Sequence, residues 1–428
     1  MKVLQIQGGK KLHGTIEVPG SKNASLALLS SVVLAEGSSV FHNIPNITDI
    51  HHKLQLLKLF GIDSEWREGS LFIDCSNATH SKTEEVSEHP IRTSFYLLGP
   101  LVARTGKAIL PTPGGCNIGT RPVDFHLKGL ALLGVNVKLH KGFYIAEASE
   151  LKGAEIYLDF PSPGATQHLM STAVLAKGIT VIKNAAIEPE VTTLADFLNR
   201  QGARIEGAGT STITITGVQH LSGCEFRIPA DRMQASTYLL AGAITQGDVT
   251  VKGVLPEDLN ALSNKLKEAE AVVEEGPDWV RTSAQKPLKA VRIKTMPYPG
   301  FPTDIQQPTA ALLAIASGTS IIEETIYESR IGHIAELNRM GAKIYQEGRT
   351  SIIEGVQELN GALVEASDLR AGAALCLAGL AAKGETIIKN VHLVDRGYEN
   401  LEQNLQSLGA IINRFPITHL KKTSQSII

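Results

Sequence analysis

The sequence predicts an α/β fold in which six copies of a β-α-β-α-β-β unit are divided equally between two domains. At 428 residues the chain is too long for one ordinary hydrophobic core, so two domains of roughly 200 residues each are expected. The copies are marked by glycines that follow small-residue apolar runs at intervals of about 70 residues, and such self-similarity indicates repeated supersecondary units. They are Gly37, Gly106, Gly178, Gly247, Gly318 and Gly384.

The elements of each copy are predicted in one order. An extended segment leads through a polar turn into a small-residue apolar helix, and after the glycine comes a β-branched run such as residues 179–182. A second helix then ends at another glycine, the usual C-terminal signal, before two further strands. These second positions are Gly61, Gly134, Gly202, Gly341 and Gly409, with Glu270 in place of glycine in the fourth copy. The fourth copy begins near residues 226–229, which predicts a domain boundary there.

Composition argues against several classes of protein. With 41 basic and 43 acidic side chains there is no overall field to attract nucleic acid or an anionic membrane, and only 5% of residues are aromatic. The cysteines form no CxxC pair, so we expect a reducing compartment and neither a metal site nor a disulfide framework. They are Cys75, Cys116, Cys224 and Cys376. No HExxH, GxGxxG or P-loop motif indicates a metal or a nucleotide cofactor.

The N-terminal region contains no predicted targeting or membrane segment. Its apolar run at residues 24–35 is about 12 residues long, too short to span a membrane, and lacks a cleavage-site pattern. We therefore expect a buried helix there and a cytoplasmic protein.

Residues 111–124 are predicted to form a loop suited to chemistry. Their sequence, PTPGGCNIGTRPVD, joins glycines and prolines to Cys116 and Arg121. Glycine leaves the backbone free to move, and a neighbouring guanidinium favours a thiolate or binds an anion. Because most free cysteines are small buried hydrophobes, a packing role for Cys116 is the alternative.

Two sets of residues recur at matching positions of the copies. The first-helix set lies roughly four helical turns before each glycine and consists of Lys22, Arg92, Gly164, Arg232, Asp304 and Arg370. The second-helix set lies shortly after the strand that follows each glycine and consists of Asp49, Arg121, Glu190, Glu257, Arg330 and Arg396. Both sets are predicted near helix starts.

The charges of these sets predict an anion site. Helix N-termini carry unpaired N–H groups and partial positive charge, so cations there favour a phosphate or carboxylate ligand. Arginine at a helix start opposes the macrodipole, and such conflicts are expected at functional sites. The alternative for each arginine is a surface salt bridge or a side chain that reaches solvent. Asp304 is either an N-cap or, among cations, a general base for a hydroxyl.

Together these residues resemble the motifs of the enolpyruvyl transferases, from residue 4 to residue 413. The motifs are PGSKNA at 19–24, LGPLVAR at 98–104, PGGCNIGTRPVD at 113–124, GAT at 164–166, EPE at 188–190, FPTD at 301–304, DLR at 368–370 and DRGY at 395–398. The resemblance implies two inside-out, barrel-like α/β domains of three repeats each, with the active site in the cleft between them. It implies a first domain of residues 22–229, a second of 1–21 plus 230–418, and a polar tail at 419–428.

The Cys116 loop resembles the branch of the family that acts in peptidoglycan synthesis. The resemblance implies transfer of enolpyruvate from phosphoenolpyruvate to the 3′-hydroxyl of UDP-N-acetylglucosamine, with release of phosphate through a tetrahedral ketal and without a cofactor or metal. Cys116 would be the acid at C3, open to alkylation by epoxide phosphonates such as fosfomycin, and Asp304 the base on the hydroxyl. The phosphate would be held by Lys22, Arg121 and Arg396. The carboxylate would be held by Arg330 and Arg370.

The resemblance also implies a nucleotide-sugar site. Its residues would be Asn23, Arg92, Arg121, Pro122, Val123, Asp124, Phe125, Ser162, Gly164, Asp304 and Ile326. Phe125 or the plane of Arg121 would stack on uracil. By the family pattern the Cys116 loop would close over the bound sugar nucleotide.

Three positions depart from the usual residues of the family. Pro163, His168 and Thr193 stand where valine, asparagine and aspartate are usual, and Pro163 has no N–H to offer a diphosphate. We expect altered substrate affinity and retained activity. The alternatives are transfer to shikimate 3-phosphate or a non-catalytic sugar-nucleotide sensor. The expected partners are the two small substrates, without nucleic acid or membrane, and the expected state is a monomer.

Overall fold

The computed structural model describes residues 2–79, 91–115, 118–120 and 122–419, which form 12 α-helices and 23 β-strands. The helices are α1 (Lys22–Ser31), α2 (Thr48–Lys58), α3 (Leu98–Thr105), α4 (Asp124–Leu132), α5 (Pro163–Ala173), α6 (Pro189–Arg200), α7 (Arg232–Ile244), α8 (Asn260–Glu268), α9 (Gln306–Leu313), α10 (His333–Arg339), α11 (Leu369–Ala381) and α12 (Leu401–Ser407). The strands are β1 (Lys2–Gln7), β2 (His13–Glu17), β3 (Ser38–His42), β4 (Asp63–Arg67), β5 (Ser70–Asp74), β6 (Lys107–Pro111), β7 (Asn136–His140), β8 (Phe143–Glu147), β9 (Glu155–Tyr157), β10 (Ile179–Lys183), β11 (Arg204–Glu206), β12 (Thr212–Thr216), β13 (Glu225–Arg227), β14 (Asp248–Lys252), β15 (Val272–Glu275), β16 (Trp279–Ser283), β17 (Arg292–Lys294), β18 (Thr319–Glu323), β19 (Lys343–Glu347), β20 (Thr350–Glu354), β21 (Leu363–Glu365), β22 (Glu385–Lys389) and β23 (Ile411–Pro416).

Each copy of the repeat corresponds to one sheet. In the third copy, β9 runs parallel to β10, β10 pairs antiparallel with β12, and β12 pairs antiparallel with β11. The same arrangement recurs in the orders β13-β3-β5-β4, β15-β16-β14-β2, β17-β18-β20-β19 and β21-β22-β1-β23. In the second copy the described strands form the order β6-β8-β7. The predicted α/β fold of six β-α-β-α-β-β repeats is confirmed.

The segment that precedes α1 completes sheets of the C-terminal half. β2 runs parallel to β14 as the first strand of the fourth sheet, and β1 lies between β22 and β23 in the sixth. The first strand of the first sheet is instead β13, which runs parallel to β3. In the order of its strands, the chain therefore passes from the C-terminal half to the N-terminal half after β2 and returns after β13.

The first helix of each copy is central. Every residue of α7 and of α9 is buried, and these two helices contact each other and α11. Among the N-terminal copies, α5 contacts both α1 and α3. Alanine, glycine and serine are frequent in α1, α7 and α11, and such small side chains allow helices to pack closely. This is the inside-out arrangement that the resemblance implies. No helix in the described parts of the chain is long and apolar enough to cross a membrane.

The chain forms two compact units, each with its own hydrophobic core. Of the described residues, one unit contains 2–18, 118–120 and 230–419, and the other contains 19–79, 91–115 and 122–229. The sheets of the fourth to sixth copies belong to the former, and those of the first to third copies to the latter. We call them the Asp304 unit and the Lys22 unit.

The repeated glycines are needed for left-handed turns at nearly all the expected positions. The fourth copy differs at both positions. There Gln246 has the left-handed φ of 51°, and a Cβ on Gly247 would lie 2.0 Å from the carbonyl oxygen of Leu12. Glu270 adopts a φ of 68°, the conformation that the equivalent glycines adopt in the other copies.

Candidate active site

In the fifth copy, a residue of the first-helix set contacts one of the second-helix set. Arg330 Nη1 donates to Asp304 Oδ1 over 2.8 Å. Because β17 and β18 run parallel, the segments that follow them leave the same edge of the sheet, which brings these two residues together. In the first copy the two charges are exchanged: the first-helix residue is Lys22, and its Nζ lies 2.8 Å from Oδ2 of the second-helix residue Asp49.

Asp304 is held by two arginines. It lies in a 3₁₀ helix, Thr303–Ile305, that leads into α9. Its Oδ2 accepts hydrogen bonds from Nη2 and Nε of Arg370, in the first turn of α11, over 3.0 and 3.3 Å. Arg330 Nη1 also donates to Thr303 Oγ1 over 2.8 Å, which fixes the second guanidinium. The carboxylate is thus bound on both oxygens.

The electrostatics of this cluster favour a charged carboxylate. Burial alone would raise the pKa of Asp304, but the charges and hydrogen bonds of Arg330 and Arg370 hold it well below its usual range. The arginine side chains are 6% and 3% exposed, whereas that of Asp304 is 26% exposed. The cluster therefore contains a partly exposed, ionised carboxylate that is bound to two buried cations.

Further polar groups hold Arg370 in place. Its Nη1 donates to Tyr398 Oη over 3.1 Å, and Tyr398 Oη lies 2.8 Å from Thr237 Oγ1. Asp368 caps α11 by accepting the backbone N–H of Arg370. The sequence indicated Tyr398 only as part of a motif and did not indicate Thr237, since neither is near Arg370 in sequence.

The structure corrects three interpretations of the sequence. Asp304 is not an N-cap, because α9 begins after Ile305 without a side-chain cap. Arg330 lies in the turn before α10, and Arg396 ends a 3₁₀ helix, Val391–Arg396, so neither opposes the dipole of an α-helix start.

Ile326 follows β18 in the same loop as Arg330, and its N–H donates to a buried glutamate, Glu324 Oε1, over 2.8 Å.

Lys22 and Asn23 begin a helix in the Lys22 unit, as predicted. They are the first two residues of α1, which Ser21 caps by accepting the N–H of Ala24 over 3.3 Å. The Lys22 side chain is 12% exposed and that of Asp49 is 4% exposed, so the lysine is the more accessible partner. Asn23 is exposed.

Ser162 and Gly164 begin α5 in the same unit. Ser162 is the N-cap and accepts the N–H of Ala165 over 3.3 Å, while Pro163 occupies the first helical position. A proline there costs the helix nothing, because that N–H has no partner within the helix. This gives a local reason for one of the three departures.

The residues around the start of α4 lie together in the Lys22 unit. Arg92 Nη2 donates to the carbonyl oxygen of Pro122 over 3.4 Å. Val123 precedes α4, Asp124 is its exposed first residue, and Phe125 is half-buried against the core.

Cys116 and Arg121 lie outside the described residues, so their predicted roles stay predictions. Between them, Thr120 donates its N–H to Glu328 Oε1 over 2.8 Å, and Ile118 accepts the N–H of Ser329 over 3.1 Å. Residues 118–120 are therefore joined to the segment that leads to Arg330.

The described thiols are poorly suited to act as nucleophiles or acids. Burial raises the pKa of Cys75 and of Cys376 to about 12, and it also raises the pKa of Cys224. The described residues contain no group of three or more histidine, cysteine, aspartate or glutamate side chains that could hold a metal ion.

Comparison with known proteins identifies the family. The model described as EPSP synthase (3-phosphoshikimate 1-carboxyvinyltransferase) matches residues 6–405, most of the chain. The chain therefore belongs to this family of enolpyruvyl transferases, as its motifs predicted.

Two relatives are similar along their whole length. UDP-N-acetylglucosamine 1-carboxyvinyltransferase 3 of Caldanaerobacter subterraneus subsp. tengcongensis is 48% identical over 416 residues, which cover 97% of this chain and 99% of that protein. UDP-N-acetylglucosamine 1-carboxyvinyltransferase 1 of Carboxydothermus hydrogenoformans is 48% identical over 414 residues, 97% of this chain and 98% of that protein.

Solved structures share the fold. The enolpyruvyl transferase NikO from Streptomyces tendae superposes with a TM-score of 0.86 at 25% identity, covering 96% of this chain and 98% of that one. EPSP synthase from Acinetobacter baumannii gives a TM-score of 0.74 at 21% identity, over 97% and 100% of the two chains. At that identity the second likeness concerns the fold alone.

Proposed function

We propose that the chain is a transferase that moves the enolpyruvyl group of phosphoenolpyruvate to the 3′-hydroxyl of UDP-N-acetylglucosamine, releasing phosphate, in peptidoglycan synthesis. The observation that carries this function is the likeness to relatives named for that activity, at 48% identity over 97% of the chain. This likeness favours UDP-N-acetylglucosamine over shikimate 3-phosphate as acceptor, and favours an enzyme over a non-catalytic sensor.

The reaction is an addition followed by an elimination. The 3′-oxygen bonds to C2 of phosphoenolpyruvate while its proton passes to a base, and C3 receives a proton, which gives a tetrahedral ketal that carries the phosphate. The bond from C2 to the phosphate oxygen then breaks, C3 loses a proton, and the double bond forms again. The chain must therefore supply a base for the hydroxyl, an acid–base group for C3, and cations for the phosphate and the carboxylate.

We assign the base to Asp304. The support for this role is a carboxylate that is 26% exposed in front of two buried arginines. A carboxylate whose pKa is held low is a weak base while both arginines bind it. The carboxylate of phosphoenolpyruvate would compete for Arg330 and Arg370, which we assign to it, and would weaken their hold on Asp304. Binding of this substrate would then raise the basicity of Asp304.

We assign the phosphate to Lys22, Arg121 and Arg396, and the proton transfers at C3 to Cys116. Lys22 is supported by its place at the start of α1, where N–H groups without helical partners and a lysine favour an anion. Cys116 and Arg121 are assigned from the sequence. The raised pKa values of the other three cysteines make them poor substitutes for Cys116.

The nucleotide sugar is assigned to the residues that the family resemblance implies, which are Asn23, Arg92, Arg121, Pro122, Val123, Asp124, Phe125, Ser162, Gly164, Asp304 and Ile326. We also propose that the enzyme is a cytoplasmic monomer that needs no cofactor. Light scattering that gives the mass of two chains would contradict the monomer.

Phosphate release tests the function and the loop together. It is measured from phosphoenolpyruvate with UDP-N-acetylglucosamine as acceptor, for the wild type, Cys116→Ala and Cys224→Ala. Cys224 is half-buried and belongs to neither set of candidate residues, so it controls for loss of a thiol. We expect release that requires the sugar nucleotide, falls sharply in Cys116→Ala and is unchanged in Cys224→Ala.

Each other outcome removes one part of the proposal. Release retained in Cys116→Ala would remove Cys116 as the acid and leave the reaction in place. Phosphate release that occurs with shikimate 3-phosphate and not with UDP-N-acetylglucosamine would show that shikimate 3-phosphate is the acceptor. Tight binding of UDP-N-acetylglucosamine without any release would favour the sensor.

A further inference from the structure

Two buried histidines in the Lys22 unit join three helices. Nδ1 of His126, in α4, lies 2.9 Å from Nδ1 of His168, in α5. Nε2 of His168 lies 2.9 Å from the backbone nitrogen of Gly99, in α3. The two histidines are 6% and 1% exposed. His168 is thus the side chain through which α4, α5 and α3 are hydrogen-bonded.

The hydrogen bonds determine the tautomers. Gly99 can only donate, so Nε2 of His168 accepts and its proton is on Nδ1. That proton is donated to Nδ1 of His126, whose own proton is then on Nε2. Burial, with a smaller effect of Arg92, lowers the pKa of His126 to about 3, and burial lowers the pKa of His168 well below its usual range. Both imidazoles are therefore neutral at neutral pH, and the pair is a fixed connection.

Tyr96 extends this connection to the start of α5. Its ring stacks on the imidazoles of His126 and His168, with centroids 5.5 and 6.1 Å away. Its hydroxyl lies against Gly164, where a Cβ would come within 2.1 Å of Oη. This close approach requires glycine at position 164, so the position of the histidine pair is transmitted to the first turn of α5.

We propose that His168 is a positioning residue for the nucleotide-sugar site. It acts through His126, which follows Asp124 and Phe125 in the first turn of α4. By fixing α4 against α5, it fixes these two residues relative to Gly164. The inference rests on the proposed function for the identity of the ligand.

Two substitutions separate the hydrogen bonds of His168 from its volume. In His168→Gln, the amide oxygen and nitrogen have nearly the spacing of the two imidazole nitrogens, so one can accept from Gly99 and the other donate to His126. His168→Leu fills a similar space and removes both bonds. His140, an exposed histidine in β7, gives the control His140→Leu.

The expected result is a selective loss of nucleotide-sugar affinity. In His168→Leu we expect KM for UDP-N-acetylglucosamine, and its Kd by calorimetry, to rise about tenfold, because two buried polar groups lose their partner. KM for phosphoenolpyruvate and kcat should change little, and His168→Gln should restore both constants to within about twofold of wild type, since its amide makes both bonds. His140→Leu should match the wild type.

Other results overturn the inference in recognisable ways. An unchanged KM and Kd in His168→Leu, or equal losses in the Gln and Leu variants, would remove the positioning role. A fall in kcat and in both affinities together with the melting temperature would make His168 merely structural. If the wild type binds no UDP-N-acetylglucosamine in calorimetry, the proposed function fails, and the melting temperatures still report whether the pair stabilises the fold.

Discussion

Replacing Asp304 with asparagine should destabilise the Asp304 unit measurably. The carboxylate accepts three hydrogen bonds from Arg330 and Arg370, which have very little exposure of their own. An asparagine keeps one accepting oxygen and turns an NH₂ group toward the other guanidinium. Both buried cations therefore lose the charge of Asp304, and one of them also faces the amide NH₂ group.

The size of the effect follows from burial. Removing one partner of a fully buried ion pair costs about 3–5 kcal/mol, and a hydrogen bond to a charged group contributes about 1.5–3 kcal/mol. Because the side chain of Asp304 is 26% exposed, we expect the lower end, about 2–3 kcal/mol in the free energy of unfolding. For a unit of this size, that corresponds to a fall in Tm of about 4–12 °C.

The pH dependence of unfolding shows which protonation state of Asp304 stabilises the fold. The pKa of Asp304 is lower in the folded chain than its unfolded value of about 3.9, so its stabilisation is present above that value and is lost as the pH falls toward the folded pKa. The difference in unfolding free energy between the wild type and Asp304→Asn should be constant above about pH 5 and should shrink below about pH 4.

Urea unfolding at pH 7, 5 and 3.5 measures both effects. The control is Glu268→Gln, which makes the same change of carboxylate to amide in an exposed pair with Lys265 in the same unit. That variant should lose less than about 0.5 kcal/mol. If Asp304→Asn is as stable as this control at pH 7, or if its deficit does not shrink in acid, the two arginines do not stabilise the charged carboxylate.

Two further predictions concern the Lys53 side chain and a close backbone contact. Lys53 is fully buried, donates to the carbonyl oxygen of Thr93 over 2.8 Å, and has a pKa lowered well below its usual value by burial. At a pH between the folded and unfolded pKa values of Lys53, the unfolded chain binds more protons than the folded chain. The free energy of unfolding of the wild type, measured in urea, should therefore rise by up to about 1.4 kcal/mol per pH unit relative to Lys53→Met between pH 7 and pH 10. A constant difference would show that Lys53 is charged in the fold. Gly355→Ala should cost about 1–3 kcal/mol or more, since its Cβ would lie 1.6 Å from the carbonyl oxygen of Ala316. The control is Gly348→Ala, because a Cβ on Gly348 would have open space around it and the residue has a φ of 57°. This variant should cost about 1 kcal/mol. Equal losses of the two variants in thermal unfolding would contradict the close contact at Gly355.

The repeat could be predicted from the sequence because its signals are local. A left-handed turn after a helix requires glycine in most copies, and the β-branched run that follows has a strand's preference, so six similar stretches can be counted without any contact information. The place of β1 could not be found in this way. Residues 2–7 have the pattern of a strand, but only pairing with β22 and β23, close to the other end of the chain, assigns them to the sixth sheet.

The contacts of the candidate site were harder to predict because they are not local. The sequence indicated Asp304 and Arg370 as separate groups, one for a base and one for a carboxylate. Their hydrogen bond joins residues 66 positions apart and depends on the packing of α9 against α11. His168 was noticed only as a departure from a family pattern, since its partner His126 is 42 positions away on a different helix.

The two charge pairs show how one backbone unit can serve opposite chemistry. In both the first and the fifth copy, a residue at or just before the start of the first helix is paired with a less exposed residue near the second helix. Lys22 is 12% exposed against 4% for Asp49, and Asp304 is 26% exposed against 6% for Arg330. The more buried member binds and orients the more accessible one, and in the fifth copy Arg370 binds the carboxylate as well, so the accessible charge is positive in the first copy and negative in the fifth. In the proposed reaction the cation of the first copy binds a phosphate and the carboxylate of the fifth accepts a hydroxyl proton, although both copies have the same arrangement of strands and helices.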